Sequence, residues 1–121
     1  MQRRNFTTAG VPLQQIADAV SGRIIQDGEI DEVRWIVASG LMSDVLTTEE
    51  DDILLLSNLT TPQVVRTADM VGASAILITS GKEIPGATRE LARRLGIALL
   101  AADLPVFETC CALTPLFYEV E

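Results

Sequence analysis

Histidine does not occur anywhere in these 121 residues. Its absence removes Ser-His-Asp and Cys-His nucleophilic sites, imidazole acid–base catalysis and His-based metal centres. Cysteine occurs only as the adjacent pair Cys110 and Cys111, and neighbouring cysteines rarely meet disulfide geometry. Two thiolates also fall short of the usual four-thiolate zinc or iron–sulfur site. Reduced thiols in a reducing compartment are the expectation. No apolar run approaches the ~20 residues of a membrane span. The basic start Met1-Gln2-Arg3-Arg4 is not followed by a continuous apolar stretch, so no secretory signal is expected and the chain is assigned to the cytoplasm. The pattern Gly-x-x-x-x-Gly-Lys-[Ser/Thr] is missing, and with it a phosphate loop carrying its Lys and Mg²⁺-binding hydroxyl. Positive charge is scarce: nine Lys and Arg face seventeen Asp and Glu, for a net charge of −8. That balance repels phosphate backbones and argues against nucleic-acid and anionic-membrane partners. No cofactor and no metal are indicated.

What is present is an ordinary globular balance, 48% hydrophobic and 21% charged, in a chain long enough for one layered core. Residues 1–11 carry no periodic pattern and read as an N-terminal arm; residues 12–121 read as the domain. From Pro12, Leu13, Ile16, Ala17 and Val20 follow helical spacing, and Gly22 stands where that helix stops. Arg23-Ile24-Ile25 is a short strand ended by Asp27-Gly28, and Glu32 to Ala38 reads as one strand broken by Ser39-Gly40. Glu49-Glu50-Asp51-Asp52 reads as a solvated acidic turn rather than a metal site.

The segment from Asp51 to Asp103 is the most explicit. Ile53-Leu54-Leu55-Leu56, Ala75-Ile76-Leu77-Ile78 and Ile97-Ala98-Leu99-Leu100 are continuous apolar runs, as parallel strands buried on both faces require. Between them lie two helices. One opens at Thr61, an expected N-cap, with Pro62 at its first position, buries Val64, Val65, Ala68 and Val71, and ends at Gly72. The other covers Gly86 to Leu95, buries Leu91, Ala92 and Leu95, and ends at Gly96. A last helix holds Val106, Cys110 and Leu113, and Leu116-Phe117-Tyr118 packs as a tail. Cys110 falls on the apolar stripe, whereas Cys111, turned about 100° away, is the more exposed. The fold class is α/β: a single layered domain with a mainly parallel sheet and flanking helices.

Such a sheet collects its strand-to-helix loops on one edge. The tentative ligand residues are therefore Ser57, Asn58, Thr60, Thr61, Thr79, Ser80, Gly81 and Lys82, in an edge rich in hydroxyls and helix N-termini, which favour anions. Lys82, the single lysine, is placed to meet an anionic ligand and equally reads as a solvated turn residue. Thr61 is accounted for by capping alone and Asn58 by a turn. Asp44 behind Ser43 reads as a helix-start acid. Arg89, Arg93 and Arg94 form a local basic patch or, more simply, a solvated helix face.

The order Ser43-Asp44-Val45-Leu46, Leu59-Thr60-Thr61-Pro62-Gln63-Val64-Val65, Ala75-Ile76-Leu77-Ile78-Thr79-Ser80-Gly81 and Leu95-Gly96-Ile97-Ala98-Leu99-Leu100 resembles the DRTGG-domain family. That family is similar to the N-terminal domain of HPr kinase/phosphorylase and, more distantly, to that of Mur ligases. The resemblance runs from Pro12 to Leu113, although the pentapeptide itself is missing and the nearest stretch is built around Ser80-Gly81. It implies an α/β domain that is regulatory or ligand-binding, often dimeric and not itself catalytic. The expected function is a non-catalytic regulatory or protein-interaction module; the alternative is a sensor that binds a small anion or nucleotide at the carboxyl edge. A homodimer is the expected state, because Leu113, Leu116, Phe117 and Tyr118 would offer an apolar surface.

Overall fold

Leu54, Leu55 and Leu56 have no exposed surface, and neither do Ile76, Leu77, Leu99 and Leu100. Consecutive side chains of a strand point to opposite faces, so these strands need a covering layer on each side. The computed structural model, which describes residues 4–6, 10–38 and 52–120, supplies both layers. The expected Ser39-Gly40 loop, the Ser43–Leu46 turn and most of the acidic run lie outside the described residues.

The five-stranded sheet contains β3 (Arg23–Gln26), β5 (Trp35–Ala38), β6 (Ile53–Ser57), β7 (Ala73–Ile78) and β8 (Ala98–Ala101). Their spatial order is β3-β8-β7-β6-β5. The four strands from β5 to β8 are parallel, and β3 closes the edge antiparallel to β8. On one face, α1 (Leu13–Ala19) and α4 (Val106–Phe117) pack on Leu54, Leu56, Leu77 and Leu100. On the other, α2 (Pro62–Val71) and α3 (Gly86–Leu95) pack on Leu55, Ile76, Ile78 and Leu99. Each fully buried aliphatic side chain contributes ~1.5–3 kcal/mol, which explains why the polar content of these strands is so low. Two small ribbons complete the described structure: β2 (Val11–Pro12) with β4 (Glu32–Val33), and β1 (Arg4–Phe6) with β9 (Tyr118–Val120). Val11, the last residue of the expected arm, is buried and pairs with Val33.

The helix ends follow the glycine signals. Gly72 and Gly96 both adopt left-handed φ (76° and 72°) as helix terminators. After α3, Ile97 N–H reaches back to Ala92 O at 3.0 Å while Gly96 N–H bonds Arg93 O, the paired bonds of a Schellman end. In that arrangement the residue after the glycine, Ile97, enters the core. Leu95, expected inside, is left 38% exposed.

Three further expectations are corrected. Thr61 sits at the N-cap position of α2, but its side chain makes no capping bond. Glu32 to Ala38 is not one strand: β4 pairs with β2, and the chain swivels at Arg34 to place β5 beside β6. Asp52 O accepts both Arg34 N–H (2.8 Å) and Trp35 N–H (3.3 Å), which fixes the swivel. Of the apolar tail, Leu116 and Phe117 end α4 and Tyr118 begins β9; Leu113 and Phe117 are fully buried in the chain's own core and so provide no external surface.

Gly22 shows how tightly β3 is set against its neighbour. A Cβ there would stand 2.3 Å from Ala101 O, a contact that only a backbone shift relieves. Gly22→Ala is therefore expected to destabilise the fold by ~1–3 kcal/mol through overpacking, read as a lower urea midpoint. An unchanged midpoint would show that β3 does not dock this closely.

Candidate functional site

Each hydroxyl of the carboxyl edge has a position that the fold dictates. Ser57 ends β6 and is buried; its Oγ accepts Leu59 N–H at 3.0 Å. Thr79, directly after β7, is fully buried, and both its N–H (2.9 Å) and its hydroxyl (3.4 Å) donate to Ser57 O. The Ser57 and Thr79 loops are thus brought together. Thr60 O accepts the hydroxyl of Thr88 at 2.6 Å, tying the loop before α2 to the first turn of α3. Asn58 and Thr61 are exposed. No buried side-chain nitrogen or oxygen among the described residues lacks a partner. Ser57, Thr79 and Thr88 are committed to holding loops.

The loop after β7 turns sharply through two left-handed residues, Ser80 (φ 68°) and Gly81 (φ 64°). Ser80 N–H donates to Leu104 O (2.8 Å) and Gly81 N–H to Ala102 O (3.0 Å). A side chain at Gly81 would be strained by its φ and would meet Asp103 Oδ1 at 3.3 Å. These bonds close the gap where the β7 chain leaves toward α3 and the β8 chain leaves toward α4. Diverging loops normally open a crevice at such a point; here backbone fills it.

Open space lies one strand further out. A cleft of about 230 Å³ is bounded by Arg23 and Ile25 of β3, Ala101 of β8, the segment Lys82–Ile84 and Arg89 of α3. Arg23 pairs with Ala101 at the end of the sheet. Ile25, the extra residue of a β-bulge between Ile24 and Gln26, packs against the α2/α3 side of the core, as bulges commonly redirect a side chain. Lys82 is delivered by the Ser80-Gly81 turn, and Arg89 by the first turns of α3. No side chain caps the N-terminus of α3, so its dipole adds positive potential nearby. Among the described residues, no ion pair engages Arg23, Lys82 or Arg89. Glu83 is the single acid in the lining.

The other members of the arginine patch, Arg93 and Arg94, are exposed and do not line this cleft. Arg93 pairs with Glu90 along the exposed face of α3. That contact, chiefly the hydrogen bond, holds the Glu90 carboxyl below and the Arg93 guanidinium above their ordinary ranges. A second cleft, of about 270 Å³, has the opposite character: Glu29, Asp31, Glu32 and Asp52 line it, with Arg34 3.8 Å from Asp52. Among the described residues, no group of three or more Cys, Asp or Glu side chains is placed to hold a metal ion, and no helix is long and apolar enough to cross a membrane.

Of the expected ligand residues, the structure puts Lys82 in the lining of this cleft, beside Arg23, which sequence reasoning did not single out. Nothing in a single chain marks which strand an edge strand will pair with. Arg89 was visible only as one of three helix arginines.

No protein-family model matches the chain, and no curated protein matches it. Among solved structures it is similar to the CBS and DRTGG domains of the regulatory region of Clostridium perfringens pyrophosphatase, crystallised with the activator diadenosine tetraphosphate. The TM-score is 0.64 at 15% identity, over 84% of this chain and 45% of that one. The chain thus spans just under half the length of that structure, and the likeness is one of fold.

The two thiols differ in setting. Cys110 is half-buried in α4, and burial first, then the adjacent Cys111, pushes its thiol up from the ordinary range. Cys111 is exposed. Thiolate is the reacting form, so a raised value leaves less of it on Cys110 at neutral pH. With Ellman's reagent, Cys110→Ser protein is expected to react faster at pH 7.5 than Cys111→Ser protein. The rate of the latter should keep climbing with pH beyond the normal thiol range. The reverse order would contradict the packing of α4.

Proposed function

We propose that this chain is a non-catalytic regulatory module of the DRTGG and HPr kinase N-terminal-domain type, and that it senses a small anionic ligand, nucleotides included, at the carboxyl edge of its sheet. One observation carries the reading: in an acidic protein, Arg23, Lys82 and Arg89 converge from three segments on one cleft without ion-pair partners among the described residues. Three exposed cations against one carboxylate leave the cleft net positive within an acidic protein, and that potential favours an arriving anion. The fold likeness to a regulatory region crystallised with a nucleotide activator supports the same reading.

The test is a thermal-shift screen against nucleotides and phosphorylated metabolites. A ligand present at 100 times its dissociation constant stabilises the folded state by ~2.7 kcal/mol. At least one anion is expected to raise the midpoint, with the shift lost in Arg23→Gln and Arg89→Gln but kept in Arg94→Gln. Equal shifts in all three variants would move the site away from the cleft.

A cytoplasmic homodimer completes the proposal. With Leu113 and Phe117 buried, the apolar surface available to a second copy includes Phe107 of α4, which is 75% exposed. Light scattering at tens of micromolar is expected to give about twice the chain mass of 13.1 kDa, falling toward one chain in Phe107→Asp. A single-chain mass for the unaltered protein would remove this part.

A further inference from the structure

The chemistry of the lining says more than "anion". It holds two guanidinium groups, one ammonium, one carboxylate and three aliphatic side chains. It contains no aromatic ring on which a base could stack, and no amide or hydroxyl side chain to read a base edge. Its volume, about 230 Å³, falls below the ~300 Å³ at which pockets begin to enclose drug-sized ligands. The cleft is open to solvent on one side, so part of a larger ligand can remain outside it.

The cations, however, are distributed. Arg23 stands on the edge strand, Lys82 on the loop after β7 and Arg89 on α3, so the positive charge comes from three separate segments, and a chain of phosphoryl groups presents oxygens to each of them. Guanidinium forks match the paired oxygens of phosphate, and the ammonium serves as a point charge. A monocarboxylate would satisfy one fork and leave the other two cations unpaired. At the other extreme, the net charge of −8 repels a long polyanion outside the cleft.

We infer that the cleft formed by Arg23, Lys82 and Arg89 binds a short phosphate chain, of two or three phosphoryl groups, and reads that chain rather than any attached nucleoside. This rests on the proposed anion-sensing role and narrows it. A nucleotide would enter phosphate-first, with its sugar and base left in solvent. Glu83, the lining's lone acid, opposes the ligand and limits its affinity.

Titration calorimetry on the intact chain, with EDTA present to keep phosphates free of divalent cations, separates the possibilities. Tripolyphosphate, ATP and GTP are expected to bind within about threefold of one another. AMP should be at least tenfold weaker, and adenosine silent. Arg23→Gln and Arg89→Gln should each weaken tripolyphosphate at least tenfold, Glu83→Gln should tighten it several-fold, and Arg94→Gln should leave it unchanged. Circular dichroism of each variant establishes that it is folded. Binding of ATP with tripolyphosphate silent would overturn phosphate-chain reading while leaving an anion sensor standing. So would binding only of carboxylate or monophosphate ligands that depends on Arg23 and Arg89. If none of these anions binds, both this inference and the sensor reading fall.

Discussion

Everything in this fold depends on the two-sided burial of β6, β7 and β8. Strands with no exposed surface at Leu54 to Leu56, Ile76 to Leu77 and Leu99 to Leu100 cannot exist in a two-layer domain. They force a helical layer onto each face. The connections β6-α2-β7 and β7-α3-β8 place two helices on one face; α1 and α4 take the other. Divergence after β7 and β8 follows directly, because one chain must leave toward α3 and its neighbour toward α4. The structure meets that divergence with main-chain bonds from Ser80 and Gly81 to Leu104 and Ala102. The gap closes, and the next opening is at the edge strand.

That edge strand behaves differently from the rest of the sheet. β3 runs antiparallel, is only partly buried and carries a bulge. An edge strand is the one place in such a sheet where a charged side chain can sit beside the core without being desolvated. Arg23 exploits this, and Gly22 brings it within reach by letting the chain approach Ala101 O closely. Across the cleft, α3 presents Arg89 from its early turns. Arg93, a turn further along, is neutralised by Glu90. Of the three arginines of the helix, Arg93 is balanced by Glu90, Arg89 lines the cleft, and Arg94 does neither.

How much of this was legible in the sequence depends on the range of the interaction concerned. Helix ends at Gly72 and Gly96, the Pro62 start and the apolar runs of β6 to β8 are local or periodic signals, and they were readable. The α/β class followed from them. The exposure of Leu95 was not readable from period alone, because the Schellman end passes the core position to Ile97. Nor was the swivel at Arg34, which is set by Asp52 O from a separate segment. Thr61 has the residue type of a cap without the bond, since propensity describes an average over many helices and not one side chain. Ser57 and Thr79 look like ligand groups in sequence. The Ser57 hydroxyl is taken by Leu59 N–H two residues on, but the Thr79 hydroxyl finds its partner twenty-two residues away, which is visible only in the folded chain.

The consumption of those hydroxyls changes what the carboxyl edge is for. A hydroxyl already bonded to a main-chain group is not free to reorganise around a ligand without leaving a buried group unpaired, at ~1–3 kcal/mol each. Ser57, Thr79 and Thr88 therefore act as a rigid frame. What the frame holds is Lys82, at the end of a turn whose φ values admit little variation, and Arg89, on a helix whose first turn is tied to Thr60. Lys82 and Arg89 thus leave the main chain at fixed points, while their exposed side chains keep their own rotamer freedom. The hydroxyls that dominate the edge in sequence thus fix the main chain around the cleft, and the charge comes from neighbouring positions.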